Sequence, residues 1–163
     1  MKLLERVVRA HDAIVKAARA LCWLPPLLAR VTLGVVFVES GWGKLGSLDQ
    51  VADFFTTLGI PAPHLLAPFV ASVELVGGAL LLLGLGTRVA ALFIGFVMAV
   101  ALITAKAEEL KSLSDGFGTI EFLYLVLCVF LLVEGAGALS LDRLWTRLIV
   151  LRAQTSAKRP AIG

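Results

Sequence analysis

Charge is what this sequence has least of. Charged residues make up 17% of its 163 positions, against ~25% in a soluble domain. Hydrophobic residues reach 59%, above the ~45–50% of globular chains, and the mean hydropathy is +0.93. Disorder is excluded, because it needs low hydrophobicity and high charge. Cysteine is almost missing: Cys22 and Cys128, each in apolar surroundings, exclude a secreted disulfide scaffold. Histidine is as scarce, with His11 and His64. No second His or Cys stands at ligand spacing, so no metal site is expected. A Gly-rich phosphate loop, a Cys-x-x-Cys pair and a nucleophile–base arrangement are all lacking, and no catalytic residue is assigned. The length fits one domain, and the composition makes it a membrane protein.

A bilayer core needs roughly 20 mostly apolar residues per helix. Four stretches qualify: 26–45, carrying Arg30, Glu39 and Lys44; 65–85, with Glu74; 89–105, uncharged; and 120–139, with Glu121 and Glu134. None shows the alternation of a membrane strand. A soluble bundle built from four such stretches would have almost no polar face. Gly84-Leu85-Gly86-Thr87-Arg88 is short enough to make the second and third spans antiparallel neighbours, with Thr87 as a cap. Thr119 is expected to cap the fourth span.

The net charge is +3 and the isoelectric point about 9.1. Its placement argues against nucleic acid as the partner. Lys2, Arg6, Arg9, Lys16 and Arg19 precede the first span, and Arg143, Arg147, Arg152, Lys158 and Arg159 follow the last. Basic flanks face the cytoplasm, so both termini are expected there, in a multi-pass protein of the cytoplasmic (inner) membrane. Charges spread through the N-terminal segment argue against a cleaved signal peptide. Leu3, Val7, Ile14, Ala18 and Leu21 fall on one helical face, which suggests an amphipathic helix over 1–25 lying on the inner membrane surface; the alternative is a frayed basic tail. In the first loop, Ser47-Leu48-Asp49-Gln50 reads as a capping box opening a short outer interfacial helix, and Gly59–Pro63 as a rigid extended link. Residues 140–163 form a cytoplasmic tail. The expected fold is an all-α integral membrane four-helix bundle with these two accessory helices.

The motifs resemble the DoxX family of small four-helix membrane proteins. The matching stretches are Arg30-Val-Thr-Leu-Gly34 with Gly41-Trp-Gly-Lys44, Phe55 with Gly59-Ile-Pro-Ala-Pro63, Glu74-Leu-Val-Gly-Gly78, Leu83-Gly-Leu-Gly-Thr-Arg88 and Gly135-Ala-Gly-Ala-Leu-Ser-Leu-Asp142. Together they cover about residues 27–145. The resemblance implies a cytoplasmic-membrane protein linked to thiosulfate:quinone oxidoreductases and to membrane complexes that manage redox stress.

Each ionisable group at a helix centre costs roughly 2.5–3.5 kcal/mol, so those in the spans need a reason. Depth along the helices pairs Arg30 with Glu134 as a structural ion pair near the inner end. The same reasoning groups Glu74 with Lys44, and with Glu39, in the outer half. Arg30, Gly34, Phe37, Gly41 and Lys44 share a face, whereas Glu39 lies roughly opposite Arg30. Either Glu39 looks toward another neighbour or the helix bends at Gly41–Gly43. Glu74, Gly77 and Gly78 share a face on which the glycines permit close backbone approach or leave a slot beside the carboxylate. The resulting candidate site for a quinone or small polar ligand comprises Glu74, Lys44, Glu39, Trp42, Gly77 and Gly78. Ala91, Gly95 and Ala99 form a small-residue stripe expected to meet another helix, in the bundle or across a homo-oligomer. No redox group is resident. The expected roles are a quinone-interacting membrane subunit whose redox partner protein carries the redox centre, a scaffold with purely structural charges, or a small-solute transporter.

Overall fold

The computed structural model describes residues 2–106 and 112–148. The ordered elements are α1 (Lys2–Ala20), α2 (Leu24–Leu45), α3 (Leu48–Thr57), α4 (Pro63–Leu83), α5 (Thr87–Thr104), α6 (Leu113–Phe117) and α7 (Ile120–Glu134). A further helical stretch covers 141–148. There is no strand among the described residues. Arg152, Lys158 and Arg159, used above for orientation, lie outside them.

α2, α4 and α5 are long and apolar enough to cross a membrane. α2 and α4 both open on proline in the first turn, where the missing N–H has no helical partner to lose. α4 ends on Gly84 (φ +65°), and Gly86 (φ +58°) opens α5; these left-handed positions reverse the chain at little cost only because they are glycine. Thr87 does not cap α5. Gly86 is the N-cap and makes no side-chain bond; the carboxylate of Asp142 supplies the acceptors instead, as described below.

α7 is shorter than its apolar stretch. It stops at Glu134 because Gly135 (φ +84°) and Gly137 (φ +74°) leave helical space. Its 15 residues rise about 22 Å. It nonetheless runs the length of the bundle, because Thr119–Glu121 share a cleft with Lys106, just beyond α5, while Ala136 and Leu139 meet Arg30 near the start of α2. α2 packs on α4, α4 on α5, α5 on α7, and α7 closes back on α2. Leu33, Phe37, Leu81, Ile94, Met98, Cys128 and Leu131 fill the centre.

Glycine sets the closest contacts. A Cβ at Gly78 would stand 2.8 Å from Val38 N and 2.9 Å from Gly34 O, and one at Gly41 would collide with the backbone of Ala71 and Leu75. α2 and α4 therefore touch backbone to backbone. A Cβ at Gly95 would stand 3.2 Å from Cys128 Cβ, so the centre of the Ala91–Gly95–Ala99 stripe is taken up inside the bundle by α7.

The loops depart from the sequence reading in several places. Ser47 makes no capping bond to α3; its hydroxyl donates back to Gly43 O at 3.0 Å. Gly59 (φ +69°) and Ala62 (φ +48°) bend the link to α4, which is not extended. Thr119 caps α7 as expected, accepting from Phe122 N at 3.3 Å. A capping box formed by Ser112 and Asp115 opens α6, and the Ser-x-x-Asp spacing is its signature in the sequence. α1 is a regular helix rather than a frayed tail, with Leu4, Val7, Val8 and Ile14 all exposed.

Candidate functional site

Glu74 sits on the buried face of α4, and both carboxylate oxygens have partners. Lys44 Nζ donates to Oε1 at 2.5 Å, and Ser40 Oγ donates to Oε2 at 2.9 Å. Ser40 and Lys44 are one turn apart on α2, so a single helix face delivers both donors. The Glu74 side chain is 1% exposed, whereas that of Lys44 is 30% exposed. The Lys44 side chain therefore borders open space while the carboxylate lies behind it.

That space is a cavity of about 660 Å³ among α3, α4 and α5. Lys44 and Glu74 are its charged lining; Ser47, Gln50 and Thr104 add polar groups, and the rest is mainly aliphatic and aromatic. α3 contributes Val51, Phe54 and Phe55. Phe69 of α4 and Phe96 of α5 line the cavity yet are 55% and 67% exposed. At those residues the cavity wall is also the outer surface of the bundle, where lipid would lie. The arrangement suits an amphiphile: apolar walls for a ring or chain, and at one end a cation that can donate to an oxygen.

The other four candidate residues are elsewhere. Glu39 and Trp42 are exposed on α2, turned about 140° and 160° from Lys44 by the helical repeat. Gly78 is spent on the contact with α2, and Gly77 faces Ile94 of α5. The glycines serve close approach and leave no slot beside the carboxylate. Ser40 and the α3 side chains were missed; the i, i+4 spacing of Ser40 and Lys44 was the available signal.

Arg30 and Glu134 are not brought together. Arg30 is 2% exposed and donates to four backbone carbonyls: Leu81 O at 2.9 Å, Ala136 O at 2.6 Å, Leu139 O at 2.7 Å and Leu82 O at 3.2 Å. Glu134 is exposed. Beside Arg30, Asp142 fastens the turn between α4 and α5. Its carboxylate accepts from Gly86 N at 2.7 Å and Thr87 N at 3.1 Å, and its own N–H donates to Gly84 O at 2.9 Å. Ser140 caps the 141–148 stretch by accepting from Arg143 N at 3.2 Å. Arg30, Leu83–Arg88 and Gly135–Asp142, three of the motif stretches, thus meet in one clasp at the end of the bundle opposite the cavity.

The family model that matches this chain is DoxX, over residues 26–107. The chain belongs to the DoxX family. Among curated relatives, "Putative oxidoreductase CatD" of Bacillus subtilis (strain 168) is 32% identical over 116 residues, covering 71% of this chain and 83% of that protein. "Inner membrane protein YqjF" of Escherichia coli (strain K12) is 31% identical over 129 residues, covering 72% and 89%. "Uncharacterized membrane protein Rv3486" of Mycobacterium tuberculosis is 35% identical over 134 residues, covering 73% and 81%. No solved structure matches. Within this DoxX chain, the family match spans the cavity-lining helices α3, α4 and α5 and the Lys44–Glu74 pair.

Proposed function

We propose that this DoxX-family chain is a quinone-interacting membrane subunit of a redox system, and that the cavity beside Lys44 and Glu74 receives the quinone headgroup. The observation that carries the reading is a large apolar cavity whose charged lining is one ion pair. The name of the Bacillus subtilis relative supports a redox setting. That of the Escherichia coli relative supports the inner membrane. A bound quinone supplies the two-electron acceptor, while the redox centre belongs to a partner protein. In this chain, Lys44 Nζ donates to a headgroup oxygen, Glu74 Oε1 is the nearest atom to hold or release a proton, and Phe69 and Phe96 flank the tail's exit to lipid.

Calorimetric titration of the purified protein with a short-chain quinone tests the reading. Saturable binding is expected, weakened about tenfold or more by Glu74→Gln, the scale of a hydrogen bond to a charged group, with the fold retained. A scaffold reading is favoured by one observation: both Glu74 oxygens are already satisfied within the chain. Absence of saturable binding in the wild type, with Glu74→Gln lowering only the melting temperature, would establish the scaffold instead.

A further inference from the structure

One face of α2 points away from the bundle. Leu28, Thr32, Val35, Glu39 and Trp42 recur at alternating steps of four and three residues, and every one is exposed. Glu39 lies six residues before Leu45, the end of the helix, about 9 Å along its axis. In a helix of membrane-crossing length, a carboxylate at that depth is costly to leave against lipid. Among the described residues no donor reaches it, and Lys44, the nearest cation in sequence, is held by Glu74. Trp42 is 72% exposed, and its indole N–H, a donor only, has no acceptor among the described residues. Gly43, beside the stripe, has nothing within 4 Å of where a Cβ would stand, so another helix can approach closely.

We propose that this stripe is the interface of a parallel two-fold dimer of the chain, in which Glu39 of each copy accepts a hydrogen bond from the partner's Trp42. A repeat averaging 3.5 residues holds a seam in register along two helices. Two copies inserted with the same orientation can only present α2 to α2 in parallel. In a parallel seam each side chain faces its own equivalent and packs into a hole that also includes the partner's next seam position, and the one after Glu39 is Trp42. The two-fold axis makes the bond twice. A different membrane partner would have to bring its own donor to this depth, whereas a second copy already carries it.

The test uses the full chain with Cys22→Ser, in membranes and under mild oxidation. Val35→Cys on the stripe should give a disulfide-linked dimer, and Val76→Cys on the exposed side of α4 should not. Association measured by energy transfer in vesicles should weaken about 3- to 30-fold in Glu39→Leu and in Trp42→Phe, the range for one interhelical hydrogen bond in a membrane. Because neither side chain holds the bundle together, both variants should keep the wild-type melting temperature or exceed it. A chain that is monomeric in vesicles would overturn the proposal. So would Val35→Cys cross-linking no better than Val76→Cys, or an association constant indifferent to Glu39→Leu.

Discussion

At the scale of single residues, Arg30 answers a backbone problem. The last turn of α4 leaves carbonyls without helical donors, and the glycines after α7 take residues 135–139 out of helical geometry. In a bilayer no water can satisfy those oxygens. A guanidinium has five N–H donors in a rigid fork, and four carbonyls from two separate segments use it. Arg30→Gln should therefore cost about 3 kcal/mol or more, because at least two buried carbonyls are orphaned at roughly 1–3 kcal/mol each. Glu134→Gln should leave the melting temperature unchanged. Denaturation in detergent measures both, and equal losses would instead indicate the Arg30–Glu134 pair. Sequence reasoning put those two at matching depth, but depth along one helix does not say which neighbour a side chain meets. It also cannot display backbone acceptors. Lys44 and Glu74 come together because their depths match and α2 and α4 are the most closely packed pair, which their glycines had hinted.

At the scale of elements, hydropathy revealed the helices and missed where one of them ends. Ala136, Ala138 and Leu139 are apolar, so the fourth span read on to 139. Only the positive φ angles of Gly135 and Gly137 stop it. The glycines at helix contacts separate into two kinds that composition cannot distinguish. Gly78→Ala drives a Cβ into the backbone of α2 and should cost about 1–3 kcal/mol, as overpacking does. Gly77→Ala meets Cδ1 and Cγ1 of the buried Ile94 side chain at 3.0 Å rather than backbone, so a small shift of that side chain relieves it and the cost should stay at the low end of overpacking, about 1 kcal/mol or less. Gly95→Leu should lower the melting temperature by prising α7 from α5, with the oligomeric mass unchanged. A change in mass at unchanged melting temperature would move that contact to the outside of the bundle. Thermal melts and light scattering of the three variants read these outcomes.

At the scale of the whole molecule, the ring of four helices joins the two basic segments at one end. α1 leads straight into α2 near Arg30, and Arg30 also holds Leu139, next to the 141–148 stretch. Arg6, Arg9, Lys16 and Arg19 on one side, and Arg143 and Arg147 on the other, are all exposed. If α2, α4 and α5 cross the bilayer, α7 must cross with them, because it traverses the same bundle from the cavity end to the clasp. Its missing length is made up by residues 135–139, whose carbonyls at Ala136 and Leu139 are covered by Arg30. The positive-inside bias then predicts the clasp at the cytoplasmic face and the cavity in the outer half. With Cys22→Ser as background, a membrane-impermeant thiol reagent applied to intact cells should label Ala62→Cys and Ser114→Cys. Thr146→Cys should react only after permeabilisation. Labelling of Thr146→Cys with protection of the other two would invert the orientation. Labelling of all three from outside would mean that α7 turns back without crossing, which would part Gly135–Asp142 from Arg30 and the α4–α5 turn and so contradict the clasp they form.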